Sequence, residues 1–210
     1  MIKLLIAEDY AILREGLKLI LGQTSDIVVA DEASSGQEAL DKVREKNYDM
    51  VLLGISMIDG SGLDILKQIK VERPQLPVIV LSTYPEERFA LRALRASASG
   101  FLTKESTSDE MLMAIRKVAL GGRYISTSLA EKIAFHLEPI ENRPPHEALS
   151  DREYEVMCMI ALGKSLKEIS EKMSLSVQTI RGYRTRIFNK MGFKNSSEIS
   201  YYALKDGLIE

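Results

Sequence analysis

Short apolar runs in the first half of the chain end in groups that suit phosphoryl chemistry. Glu8 and Asp9 follow KLLIA, Gly54 follows MVLL, Ser82 and Thr83 follow VIVL, and Lys104 closes GFLTK. Hard carboxylate oxygens hold Mg²⁺, while a hydroxyl and an ammonium grip phosphate oxygens. Any one polar residue at a strand end is unremarkable, since strands end at the surface. The four in equivalent places point to one rim.

A different chemistry lies in residues 176–194, SVQTIRGYRTRIFNKMGFK, with five Lys or Arg and no Asp or Glu. Wound at 100° per residue, this stretch puts Val177, Ile180, Ile187 and Met191 on one side and Gln178, Arg181, Gly182, Thr185 and Asn189 on the other. Arg and Gln bond base edges in the major groove, and Thr offers a hydroxyl and a methyl. Arg184, Arg186, Lys190 and Lys194 suit phosphates. Charge alone would also describe a solvated basic helix. What sets it apart is SLKEISEKM just upstream, with Leu166, Ile169 and Met173 at helical spacing, then the break Ser174-Leu175-Ser176, with Ser176 as N-cap. Together they outline a helix-turn-helix. Gly182 costs about 1 kcal/mol against Ala inside a helix. Close approach of the backbone to DNA and simple tolerance both account for it.

The elements that position the first rim alternate along the chain. Lys3 to Ala7, Ile27 to Ala30, Met50 to Leu53, Val78 to Leu81 and Gly100 to Thr103 read as strands. Amphipathic segments near Ala11 to Gly22, Ser35 to Lys46, Gly62 to Arg73, Glu86 to Ala96 and Thr107 to Ala119 separate and follow them. This is the pattern of an α/β fold, a doubly wound five-stranded parallel sheet, whose active groups gather at the carboxyl ends of the strands. An all-α helix-turn-helix domain follows. Residues 1–122 form the first domain, 123–149 a linker with one helix from Ser126 to Leu137, and 150–210 the second domain. In the linker Pro139, Pro144 and Pro145 block helix continuation and stiffen a tether. His136 and His146 read as surface residues. Ser150 with Glu153 forms a capping box that opens the second domain. A last helix, Ser196 to Asp206, carries Ile199, Tyr202 and Ala203 on one face and ends at Gly207.

Composition agrees with a globular protein of two domains: 210 residues, 45% hydrophobic and 28% charged. The N-terminus lacks a basic region and a small-residue cleavage site, and no apolar run reaches the length of a membrane span, so a cytoplasmic protein with no membrane partner is expected. Cys158, flanked by Met157, Met159 and Ile160, reads as core filler. Net charge is only −2, yet residues 1–122 hold 15 Lys/Arg against 18 Asp/Glu and residues 150–210 hold 10 against 8. A local basic stripe must therefore supply the phosphate contacts.

With these motifs in order, the chain resembles a bacterial two-component response regulator of the NarL/FixJ type over nearly its whole length. Such proteins join a flavodoxin-like receiver domain to a LuxR-type helix-turn-helix. LLIAED matches the first receiver strand with its acidic pair, Glu8 and Asp9, as metal ligands. DMVLLGISM matches the third strand, VLS places Ser82 at the switch hydroxyl, and GFLTK places Phe101 at the switch aromatic and Lys104 at the family's lysine. The run from Leu149 to Phe193 follows the output-domain pattern, with Arg181, Gly182 and Thr185 at the base-reading positions. The resemblance implies a transcriptional regulator of double-stranded DNA, a homodimer on two-fold half-sites with a contact at the last helix, and a sensor histidine kinase upstream.

One departure is consequential. The family carries Asp at the phosphoacceptor position, and this chain has Gly54, which can neither accept a phosphoryl group nor ligate a metal. Ile58 stands where the family usually has proline. Phosphoaspartate in the usual way is therefore not expected, and Mg²⁺ at Glu8 and Asp9 is weakened or lost. Ser56 and Asp59 lie close in sequence but point elsewhere unless the loop rearranges. Two other classes remain open. A degenerate receiver could serve as a protein–protein adaptor, against which the acid-free basic helix argues. A Mg²⁺-dependent phosphohydrolase on the same rim lacks a nucleophile, so the chain is not expected to be an enzyme.

Overall fold

The structure, a computed structural model, describes residues 1–58, 60–83, 86–126, 130 and 144–209, with residues 86–88 described by backbone alone. It divides into two compact units, Met1–Ala134 and Phe135–Glu210. In chain order the first unit runs β1 (Ile2–Ala7), α1 (Ala11–Gly22), β2 (Ile27–Ala33), α2 (Gly36–Glu45), β3 (Met50–Gly54), β4 (Ser56–Met57), β5 (Gly60–Ser61), α3 (Gly62–Glu72), β6 (Val78–Ser82), α4 (Glu86–Arg95), β7 (Gly100–Thr103) and α5 (Ser108–Ala119).

Five strands make one parallel sheet in the order β2-β1-β3-β6-β7. Every residue of β3 and β6 is buried, as strands covered on both faces require. Leu17 and Leu21 of α1 and Met111, Ala114, Ile115 and Val118 of α5 close one face over Leu4, Ile6, Met50 and Leu52. Ala39, Leu40 and Val43 of α2 and Leu63, Leu66 and Ile69 of α3 are buried as well. The strand β2 runs three residues past the apolar run IVVA because it lies at the sheet edge. There Asp31 reaches Lys46 and Tyr48, and Glu32 reaches Arg14 and Lys18, so both acids keep partners. Thr107 and Glu110 form a capping box at α5.

Register brings the rim together. Ala7 pairs with Leu53, Gly54 with Leu81, and Ser82 with Thr103, so Glu8, Gly54, Ser82 and Lys104 gather at the carboxyl edge on either side of the β1/β3 switch point. Beyond Gly54 the small hairpin β4-β5, which the sequence pattern does not announce, leads into α3. At its end Gly62 allows a close backbone approach: a Cβ there would lie 2.1 Å from the Gly54 carbonyl oxygen and 2.8 Å from Ile55 Cα.

The second unit holds a 3₁₀ turn at Pro145–Ala148 and then α6 (Asp151–Ala161), α7 (Leu166–Lys172), α8 (Val177–Met191) and α9 (Ser196–Lys205). The hydroxyls of Ser150, Ser165 and Ser176 and the Asn195 carboxamide cap these four helices. Tyr154, Val156, Met157, Cys158, Ile169, Ile180, Ile187, Ile199 and Ala203 are its core. Gly192, at φ 71°, stops α8, and Gly207, at φ 64°, follows α9.

One expectation near the linker changes. Residues 145–148 form a 3₁₀ turn that opens at Pro145, since a proline suits the first position of a helical turn. His146 is not a plain surface residue: its Nδ1 lies 2.7 Å from Tyr202 Oη and 3.9 Å from Asp206 Oδ2, and its ring leans on Tyr154. Aromatic partners at the α6–α9 junction shelter it from water. The expected linker helix falls, but for residues 126 and 130, outside the described residues, as do His136, Pro139 and Asp59.

Candidate nucleic-acid interface and acidic pocket

The face of α8 follows from its neighbours. Seven-residue α7 starts at a Ser165–Glu168 capping box and ends in a turn where Ser174 takes φ 52°. That left-handed residue reverses the chain, and Ser176 then caps α8 by accepting the Thr179 N–H at 3.0 Å. Ile180, Ile187 and Met191 are buried against the domain, and Val177 is half-buried. Gln178, Arg181, Gly182, Thr185, Arg186, Asn189 and Lys190 are exposed, while Arg184 is half-buried. One side packs and the other meets solvent because a 3.6-residue period carries both sets at once.

Several side chains on this face are held by local contacts. Thr185 Oγ1 donates to the Arg181 carbonyl at 3.0 Å, leaving its methyl and lone pairs free to turn outward. Arg186 lies over the Tyr183 ring at 4.7 Å and Arg184 over Phe188 at 5.9 Å. Gly182 has open space around it: the nearest atom to an added Cβ would be Arg186 Nη2 at 3.8 Å. The fold itself does not require glycine there.

Lys190 differs from the sequence expectation of a phosphate contact. Its Nζ lies 2.6 Å from Glu153 Oε2, and Arg186 Nε lies 3.9 Å from Glu153 Oε1. Glu153 is only 3% exposed and also accepts the Ser150 N–H at 2.8 Å. Burial pushes its carboxyl up, but the Lys190 ammonium and the Ser150 groups outweigh this and hold it below the usual carboxylate range. The cap is legible in the sequence and the ion pair is not, because nothing local marks a partner 37 residues away. Lys164 and Lys167, on the approach to and within α7, lie 4.0 Å from Glu168 and 3.9 Å from Glu171.

In the acidic pocket Glu8 is fully buried and its Oε1 accepts from Lys104 Nζ at 2.7 Å and from the Tyr10 N–H at 3.2 Å. The Lys104 ammonium also sits 4.9 Å from the centre of the Tyr10 ring, a contact with no signal in the sequence. Burial pushes the Glu8 carboxyl above its usual range against the pull of Lys104 and the Tyr10 amide. Among the described residues, Glu8 Oε2 and Asp9 Oδ1 are buried without a hydrogen-bond partner. Ser82 and Phe101 are buried at the rim and behind it, and Phe101 N–H donates to the Tyr124 carbonyl. Ser56 lies half-buried on β4, paired across the hairpin with Ser61.

Comparison with known proteins joins the two units. The family model "Response regulator receiver domain" matches residues 4–116, and "Bacterial regulatory proteins, luxR family" matches residues 147–203. Response regulator GacA of Pseudomonas syringae pv. syringae is 34% identical over 211 residues, covering 100% of this chain and 99% of the relative. Response regulator UvrY of Escherichia coli (strain K12) is 34% identical over 209 residues, covering 99% and 96%. Among solved structures, a LuxR-family two-component response regulator from Aurantimonas sp. SI85-9A1 is 27% identical with a TM-score of 0.61, covering 64% of this chain and 96% of that one. A complex of the response regulator RcsB with DNA shares the fold at 22% identity, with a TM-score of 0.60 and 96% of each chain covered.

Proposed function

The chain belongs to the DNA-binding two-component response regulators of the LuxR family, and from that premise we propose that it reads a specific operator through α8 while its receiver works without aspartyl phosphate. The observation that carries this is the exposed, acid-free face of α8, set off by a capped turn, with Gln178, Arg181, Gly182 and Thr185 side by side and flanking cations at Arg184 and Arg186. A helix presented in this way enters the major groove, where Arg and Gln meet base edges in pairs of hydrogen bonds and the outer cations meet phosphates. Lys190, engaged with buried Glu153, acts by fixing α8 on α6. The protein acts in the cytoplasm as a homodimer on two-fold half-sites, with the exposed Tyr201 and Leu204 of α9 turned to the second copy.

At the receiver, Gly54 occupies the acceptor position and offers no carboxylate to a phosphoryl group. Signalling from a histidine kinase through the usual aspartate is therefore closed, and the upstream input is of another kind. The test is a DNA titration of the chain beside Arg181→Ala and Gly54→Asp, each with and without acetyl phosphate and Mg²⁺. Arg181→Ala is expected to weaken a specific site by about 1–3 kcal/mol and random DNA far less. Only Gly54→Asp is expected to gain affinity on treatment. A chain that itself gains affinity with acetyl phosphate overturns the proposed independence from phosphorylation, and equal losses on both DNAs reduce Arg181 to a backbone contact.

A further inference from the structure

We infer that Glu8, expected as a metal ligand, has become the tether of Lys104: its carboxylate fills the space that a side chain at 54 would take, and the pocket closes on itself instead of holding Mg²⁺. This deepens the proposed function and rests on reading 54 as the acceptor position.

The geometry begins at the glycine. A Cβ on Gly54 would lie 2.7 Å from Glu8 Oε2 and 3.4 Å from the Ala7 carbonyl oxygen. The end of the Glu8 side chain thus crowds the place of a Cβ at position 54, room that is open because the residue has no side chain. The other oxygen, Oε1, takes the Lys104 ammonium at 2.7 Å and the Tyr10 N–H at 3.2 Å. Side-chain exposure is 0% for Glu8 and 11% for Lys104, so water screens this pair little. Tyr10 lies against the lysine on its remaining side. Lys104 is anchored across 96 residues, from the end of β7 to the end of β1.

The same contacts fit a divalent cation poorly. Mg²⁺ asks for octahedral oxygen ligands and gives up its waters reluctantly. Of the Glu8 oxygens, one is committed to an ammonium. Gly54 supplies no side-chain oxygen. No group of three or more His, Cys, Asp or Glu side chains that could hold a metal occurs among the described residues. The two oxygens without a partner among the described residues, Glu8 Oε2 and Asp9 Oδ1, would have to bind the ion beside the Lys104 charge, which repels it. Introducing an acid at 54 reverses the balance. A carboxylate there collides with Glu8 Oε2, the flexible end of a side chain that can swing away, and the three acids then form a set that calls for a cation.

Two measurements on the full chain, neither involving DNA, test this. The first is calorimetric titration with Mg²⁺ alone: the chain is expected to show no saturable binding at millimolar ion, and Gly54→Asp to show it. Equal binding by both overturns the inference. The second is a double-mutant cycle of Glu8→Gln and Lys104→Met on the receiver's unfolding, run with Gly54 and again with Gly54→Asp. Coupling of about tenfold or more in the unfolding constant is expected with Gly54, falling to about threefold or less with Gly54→Asp. Coupling that is absent with Gly54, or unchanged by the substitution, overturns it. Where a variant does not fold, the rate at which an activated ester acylates Lys104 Nζ, with loss of its alcohol leaving group, is read in the chain and in Gly54→Ala, whose methyl takes the space of Glu8 Oε2. A faster rate in Gly54→Ala is expected, and equal rates count against the tether. Failure of the proposed phosphate independence would be seen separately, as a phosphoryl mass on the chain after acetyl phosphate.

Discussion

Adding one methyl group at Gly182 should move stability and DNA affinity in opposite directions. Gly182 lies inside α8 on its exposed face, and the nearest atom to an added Cβ is Arg186 Nη2 at 3.8 Å, an ordinary contact with the end of a flexible side chain. The domain therefore gains the helix propensity of alanine over glycine, about 1 kcal/mol, with no clash to offset it. For a unit of this size that is roughly 4–8 °C in the midpoint of its unfolding transition. Under the proposed reading, the same methyl would stand between Arg181 and Thr185 on DNA, where a bare Cα would let the helix sit deep in the groove. Lifting the helix lengthens the Arg181 contacts, and one bidentate Arg–base pair is worth about 1–3 kcal/mol, roughly 5- to 150-fold in affinity. Calorimetry of full-length Gly182→Ala reads the first quantity, and fluorescence anisotropy on an operator selected from a random library reads the second. A lowered transition would refute the reasoning about open space. A raised transition with unchanged affinity would show that Gly182 is merely tolerated and that this part of α8 does not approach the bases.

Other perturbations separate the roles further. Gly62→Ala should destabilise the receiver by about 1–3 kcal/mol or prevent its folding, because its Cβ would overlap the Gly54 carbonyl at 2.1 Å; an unchanged receiver transition in calorimetry contradicts that. Lys190→Ala should lower the stability of the second unit by about 1–3 kcal/mol, since Glu153 stays buried without its counter-charge. The same variant should leave the slope of log K against log salt unchanged, whereas Arg186→Ala should reduce that slope by about 0.9. Equal slopes for the two variants would return Lys190 to the phosphates. In acid, Glu38 is held at about 2 by the Lys42 ammonium and by the Ser34 amide and hydroxyl. A depressed carboxyl contributes stability that is full above its unfolded value of 4.5 and is lost as pH falls toward 2. Glu153, also depressed, acts with the same sign in the other unit. Both unfolding transitions should therefore fall below pH 4.5, and Glu38→Gln should flatten that fall for the receiver alone.

Much was legible in the sequence because it is written in local periods. Apolar runs of four or five residues mark strands, 3.6-residue stripes mark helices, and Ser150–Glu153 marks a helix start, so element order and the packed and exposed faces of α8 follow from spacing alone. Parallel pairing then forces strand ends to one edge, which is why Glu8, Gly54, Ser82 and Lys104 group together from the order of the strands alone. Residue types also fixed one negative fact: a glycine at 54 accepts no phosphoryl group.

What spacing cannot say is which partner a long side chain chooses, since that depends on groups brought near by closure of the whole fold. Glu8 could turn to a cation, to Asp9 or to Lys104, and only the space over Gly54 and the approach of β7 decide for the lysine. Lys190 could reach phosphate or turn inward, and the packing of α8 on α6 sets Glu153 beneath it. His146, read as a surface residue, is enclosed because α9 brings Tyr202 and Asp206 to it from 56 and 60 positions away. Backbone patterns are set by neighbours in sequence. Charge pairing in the interior is set by neighbours in space, where a lost partner costs more than any local preference can recover.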